Sequence, residues 1–248
     1  MSSSSEGTSD LPDHPSLPHG GAIETVPESG LVIATLPAED DSIPEAWRAW
    51  VDESPSDSAR PMVAITFHRA HVVWRPGRAV VVAAADRIES AKAAVVEGAR
   101  HEAALSEIEH AMAAGWSDLE VDAEDAFEVE AMSPARRREL KRRYRRTVEL
   151  RAKLVRMAPY LLSPIVHPPT LGSQIADRWR ERLRMEARYE AVTAQLEVHH
   201  DVYDACGQRS SDSRLARSGH ALEWAILVVL GFQSLMWLFE ILSGLSAD

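Results

Sequence analysis

The chain has 248 residues with Lys+Arg 27 against Asp+Glu 38, a formal net charge of −11, and 45% hydrophobic residues. That composition supports one or two packed domains at roughly 150 residues each and excludes a uniformly basic nucleic-acid binder. A single cysteine, Cys206, excludes an internal disulfide and a Cys-rich zinc module and fits a reducing compartment.

Residues 1–60 hold 12 acids and 2 bases among many Ser and Pro. Such a segment buries too little apolar surface to offset its ordering entropy, so a largely disordered acidic leader is expected. No base precedes Arg48, so neither a secretory nor a mitochondrial address is legible. Two exceptions interrupt the leader. Leu31–Leu36 reads as a strand between Gly30 and Pro37, and Ser42–Val51 reads as a short helix burying Trp47 and Trp50.

From residue 61 the pattern changes. Met62–Phe67, Val72–Arg75 and Arg78–Ala84 are β-branched, apolar runs of strand length, the last two joined by Pro76-Gly77. An antiparallel meander is expected, with the 31–36 strand as a further member. Asp86-Arg87-Ile88-Glu89 reads as a capping box opening a helix to about Gly115. Its apolar stripe is Ile88, Ala91, Val95, Leu105, Ile108 and Met112.

Charge is then sharply segregated. Residues 117–135 carry seven acids and no base, and residues 136–156 carry eleven bases with only Glu139 and Glu149. The first stretch reads as an acidic linker. The second reads as a helix with Leu140, Tyr144, Val148 and Leu154 as its apolar edge. Its bases Arg136, Arg137, Arg138, Lys141, Arg142, Arg143, Arg145 and Arg146 are the candidate binding residues. Three readings apply to them. They form a solvated face neutralised by the acids at 118–130, a surface for anionic lipid, or an RNA contact. If the acids act as a competing internal ligand, neutralising Asp122, Glu124 and Asp125 should tighten binding.

Prolines 159, 164, 168 and 169 mark a break. A long helix follows from about Ser173 to Cys206. Met185, Tyr189, Val192, Leu196, His199, Tyr203 and Cys206 recur at alternating spacings of four and three, a heptad seam that needs a partner helix. That partner is expected within the same chain, with a homo-oligomer as the alternative.

Gly207–Gly219 is a polar break with Arg209, Arg214 and Arg217 nearby, and Trp224–Phe239 has no formal charge over 16 residues. At 1.5 Å per residue this run is about 24 Å long, and extension to Leu245 gives about 33 Å with Glu240 included. The expectation is a C-terminal membrane span over 221–245 with the bulk of the chain cytoplasmic, as the preceding arginines imply. A buried core helix is the alternative. Gln233 and Ser234 suit helix–helix hydrogen bonds within a bilayer.

Residues Glu186–Glu240 resemble the C-terminal half of the Rmd/YagE-type ("required for meiotic nuclear division") family. The resemblance lies in a long helix bearing Tyr189 and Leu196, a link with Arg214 and Arg217, and Leu222-Glu223-Trp224 opening an apolar run. The chain departs from that pattern at Gln233, at His199-His200-Asp201 and at Ala205-Cys206. The resemblance implies a membrane-attached, non-enzymatic protein whose mitochondrial relatives are linked to organelle translation.

Catalytic motifs are weak. Glu107/His110 and Glu197/His200 have the E-x-x-H spacing of di-iron bundles. Glu197 and His200, however, fall on a polar face with Glu186, Glu190, Thr193 and Asp204, away from the seam. His68-x-x-His71 has no companion at ligand spacing, and no phosphate-binding glycine loop occurs. No metal, cofactor or enzymatic activity is expected. The expected protein is α+β: acidic leader 1–60, meander and helix 61–116, acidic linker 117–135, basic and heptad helices 136–220, and membrane span 221–245. Its expected role is a membrane-anchored scaffold or tether presenting a helical bundle, with an RNA- or lipid-binding module as the alternative and a metal-dependent bundle enzyme as a third reading.

Overall fold

The computed structural model describes residues 21–27, 29–37, 42–54, 60–126, 133–162 and 169–245, excluding the side chains at 213–218, 220–221 and 238–245. The acids at 128 and 130, Pro164 and Pro168, and the side chains of Arg214, Arg217 and Glu240 therefore lie outside the described residues. The described chain divides into two units, residues up to 107 with 157–189, and residues 108–156 with 190–245.

The first unit is built on a five-stranded sheet: β1 (Ala22–Val26), β2 (Leu31–Pro37), β3 (Val63–Phe67), β4 (Ala70–Arg75) and β5 (Arg78–Ala83), in the order β1-β2-β5-β4-β3. The meander β3-β4-β5 is antiparallel, as its β-branched runs predict, and pairs Val63 with Trp74 and Val73 with Val80. β2 joins it by a parallel pairing to β5, Val32 opposite Arg78, and β1 folds back antiparallel on β2. Segment 1–60 thus supplies two strands and α1 (Glu45–Asp52) among its described residues.

Side chains alternate along each strand, so each sheet face has its own cover. On one face Ala34, Leu36, Val73, Val80 and Val82 form a core with Trp47, Trp50 and Val51 of α1. Polar clasps fix α1 in place: Arg78 donates to the Trp50 carbonyl at 2.7 Å, and Arg75 to the Asp52 carboxylate at 2.8 Å. On the other face Trp74 meets Trp179 at 4.9 Å between ring centroids. Trp179 belongs to α4 (Leu171–Arg182), which starts in a capping box between Thr170 and Ser173. The ring also lies hard against Gly98 of α2 (Ile88–Asp125), where a Cβ would stand 2.8 Å from it. Glycine is required there by close approach rather than by backbone angle. Glu102, buried on α2, accepts from Arg60 at 3.2 Å, Ser106 at 3.1 Å and Arg188 at 2.6 Å, so one carboxylate ties three chain segments.

The second unit is helical. It contains the later turns of α2, most of α3 (Pro134–Leu161) and α5 (Met185–Leu245) from residue 190 onward. α2 does not stop near Gly115; the expected linker continues it to Asp125. Leu119, Ala126, Leu140, Tyr203 and Cys206 make a buried cluster, with Trp116, Tyr144 and Val202 against it. The heptad seam therefore finds its partner in the same chain. Val192, Leu196, His199, Tyr203 and Cys206 are buried, and so is Met185 in the first unit, whereas Tyr189 there is half-buried. His199 holds its ring edge-on to Trp116 at 4.9 Å, with Nδ1 3.0 Å from the Gln195 carbonyl. The expected single helix 173–206 is instead two, broken at Leu183-Arg184, where Arg184 adopts φ 50°.

α5 runs without interruption through Gly207 and Gly219 to Leu245. The expected membrane span is corrected here. Its uncharged run of 16 residues is about 24 Å long, is bracketed by Glu223 and Glu240, and carries Gln233 and Ser234 near its middle. Among the described residues no helix is long and apolar enough to cross a membrane. The single-pass anchor and the membrane localisation inferred from it fall together.

Candidate nucleic-acid interface

α3 is helical because Ser133 caps its start, its Oγ accepting from the Arg136 amide at 3.2 Å, and because Arg, Lys, Leu and Glu are good helix formers. At 100° per residue its side chains sort into two faces. Leu140, Thr147, Leu150 and Leu154 are buried on one. Arg138, Lys141, Arg142, Arg145, Arg146, Lys153 and Arg156 are exposed on the other. From Arg138 to Arg156 this second face is about 27 Å long.

The eight sequence candidates therefore do not act together. Arg136 and Arg143 turn toward the core side and meet Asp122, whose side chain is 0% exposed. Arg136 reaches Asp122 and Asp125 at 2.7 Å each. Arg143 donates from one nitrogen to both Asp122 oxygens, at 2.6 and 2.7 Å, and from another to Glu139 at 2.7 Å. Partial burial works against the Arg143 charge. The hydrogen bond and charge of Asp122 outweigh it, so its pKa rises above the ordinary arginine value, and Arg136 behaves alike with Asp125 as its hydrogen-bond partner.

Asp122 also acts on its other neighbours. Burial and then the Asp122 charge push the Tyr203 hydroxyl upward. Burial, with Asp125 and Asp122 behind it, pushes the Cys206 thiol up to about 11, and its Sγ lies 3.5 Å from the Asp122 carbonyl. A thiol so placed is a poor nucleophile.

On the outer face Arg138, Lys141, Arg142, Arg146 and Arg156 make no ion pair among the described residues. Arg145 pairs with Glu149 at 2.9 Å in an exposed contact that water and salt weaken. Arg137 is half-buried and has a partner of its own. Lys153 and Arg156 belong to this face although the candidate set ends at Arg146. The signal that places them is periodic recurrence, Arg156 lying five full turns from Arg138.

Asp118, Asp122 and Asp125 thus neutralise the inward pair. Asp122 and Asp125 are buried on the core side of α3, so removing them would disturb packing, whereas Glu120 and Glu124 are exposed. Tyr144 stacks on His200 at 5.6 Å and is half-buried, leaving it little surface for stacking on a base.

The other chemical candidates stay apart. Glu107, His110 and Glu197 lie at the surface, and no group of three or more His, Cys, Asp or Glu that could hold a metal forms among the described residues. His71 Nδ1 is 3.2 Å from the Thr66 hydroxyl, while His68 sits in the hairpin turn with φ 45°. A cleft of about 530 Å³ in the first unit is lined by His68, Asp86, Arg87, Ser90 and Gln174. No hydrogen bond joins its serine, histidine and aspartate among the described residues, so no nucleophile–base relay is assembled.

What the helical unit defines is a bundle displaying one long cationic face. No family model, no curated protein and no solved structure matches this chain. The resemblance of residues 186–240 to the Rmd/YagE-type family rests on the residues quoted for it alone.

Proposed function

We propose that the protein is a non-enzymatic binding module whose α3 docks the phosphate backbone of RNA. The observation that carries this is the division of α3: buried acids take Arg136 and Arg143, while on the outer face of seven bases Arg138, Lys141, Arg142, Arg146 and Arg156 make no ion pair among the described residues and Arg145 and Lys153 have partners. Five of the seven are arginines, whose planar forks match phosphate oxygens two at a time. Each phosphate neutralised releases condensed counterions, which supplies affinity without reading sequence.

RNA is preferred to a lipid surface because the apolar side of α3 is already packed against α2 and α5 in the second unit. An interfacial helix needs that side free to enter the headgroup region. With little aromatic surface for stacking, recognition is by backbone charge, and sequence preference is weak.

The test is fluorescence anisotropy with a single-stranded RNA of about 20 nucleotides across about 50–200 mM salt. Arg138→Gln, Arg142→Gln and Arg146→Gln combined should lower the slope of log K against log salt by about 2, at about 0.7 for each phosphate no longer neutralised. Arg151→Gln, off this face, should leave the slope unchanged. Binding to phosphatidylserine vesicles with none to RNA would transfer the face to lipid and overturn the proposal, as would no binding to either.

A further inference from the structure

The second notable surface is on α5 beyond Cys206, its last buried position among the described residues. Between residues 222 and 237 eleven large apolar side chains are exposed, from Ile226 at 52% to Leu235 at 70%. At about 200 Å² per side chain that is roughly 1,400 Å² of apolar surface in water. The largest apolar patch on a typical monomer is about 300–600 Å².

The patch has a pattern. Ala225, Val228, Phe232 and Leu235 follow one another at spacings of three, four and three, and Trp224, Val229 and Met236 flank them within an arc of about 140°. Glu223, Gln233 and Ser234 fall on the opposite arc together with Leu222, Ile226, Leu227, Leu230 and Trp237, the Ser234 hydroxyl bonded to the Leu230 carbonyl at 2.9 Å. We infer that this seam pairs with the same seam of a second copy of the chain, making a two-helix coiled coil outside the bundle.

Area selects this occupant. The six large seam and flank residues are 57–70% exposed, roughly 800 Å² together at the same area per side chain. A standard interface buries about 800 Å² per partner. The seam carries no charge that would select a partner of different chemistry, and a three–four repeat is complementary to itself about a two-fold axis. The inference does not depend on α3 binding RNA.

Sedimentation velocity of the full chain without detergent, at about 1–50 µM, tests it. The expected mass is twice the 27.4 kDa of one chain. Phe232→Glu with Leu235→Glu should weaken dimerisation at least 100-fold and give the single-chain mass with an unchanged circular dichroism spectrum. Ile226→Glu with Leu230→Glu, on the far arc, should remain dimeric. A full chain that is monomeric at 50 µM, free or on vesicles, overturns the proposal. So do equal losses from the two pairs, or heterogeneous aggregates that only detergent disperses.

Discussion

Replacing Asp122 with asparagine keeps the side-chain shape and removes the charge that two arginines share. The wild-type carboxylate is fully buried, with three nitrogen–oxygen contacts at 2.6–2.7 Å from Arg136 and Arg143. Breaking a buried pair from one side costs about 3–5 kcal/mol, because the partner charge is left without compensation. Here both arginines retain something. Arg136 keeps Asp125, Arg143 keeps Glu139 and Asp118, and their side chains are 25% and 19% exposed. That lowers the expected cost to about 2–3 kcal/mol. Asp118→Asn removes only an interaction at 3.3 Å from a carboxylate that is 54% exposed, and should cost under about 1 kcal/mol. Cys206, buried against the Asp122 carbonyl, reports on the same region. In Asp122→Asn its reaction with a thiol reagent near pH 8 should quicken roughly 30- to 150-fold, as opening becomes easier by that free energy. Urea melts of both variants complete the comparison. Equal costs for the two substitutions would refute the claim that this network organises the helical unit.

Other expectations follow from the same packing. Gly98→Ala gains about 1 kcal/mol of helix propensity but drives a methyl to 2.8 Å from the buried Trp179 ring. Overpacking costs about 1–3 kcal/mol, so thermal denaturation should show a net loss. The Cys206 thiol is raised from its ordinary 9 to about 11. The folded chain therefore holds this proton more tightly than the unfolded one, and stability is full below pH 9 and falls by about 2–3 kcal/mol toward pH 11. Cys206→Ala should flatten part of that alkaline limb in pH-dependent melts. Burial, helped by the Arg100 charge, lowers the pKa of His101, which stacks on Tyr160 at 4.0 Å. Stability should then decline as the pH falls through the unfolded value near 6.5, and His101→Phe should reduce that decline.

Local pattern carries much of this fold, and its failures share a cause. β3, β4, β5 and β2 are legible because β-branched runs, alternation and Pro76-Gly77 agree. The heptad seam is legible because its spacing is regular from Met185 to Cys206. β1 is not: Ala22–Val26 has one acid, no alternation and mostly exposed side chains, and it exists because β2 offers an edge. The extension of α2 to Asp125 stays hidden when charge is counted instead of spaced. Asp118, Asp122 and Asp125 recur at intervals of four and three, one helix face set against Arg136 and Arg143. The same rule divides α3. Eight neighbouring bases look equivalent in sequence, yet a rotation of 100° per residue sends Arg136 and Arg143 inward, half-buries Arg137 and exposes the other five. Lack of charge alone makes the apolar run in α5 look like a span, and its length between Glu223 and Glu240 decides against one.

The first unit is interrupted in sequence: the chain leaves it at Glu107 and returns at Met157. Trp74 thus waits 105 residues for Trp179, its neighbour across the sheet face. At about 5–20 residues per second, a ribosome needs roughly 5–20 s to supply it. During that interval the five strands and α1 can assemble, but the far face of the sheet, with Trp74, Ile33 and Val81, still lacks the Trp179 ring. Birth of this domain is therefore a two-stage event timed by translation, and codon-dependent pauses between residues 107 and 179 would prolong the exposure of that face to chaperones.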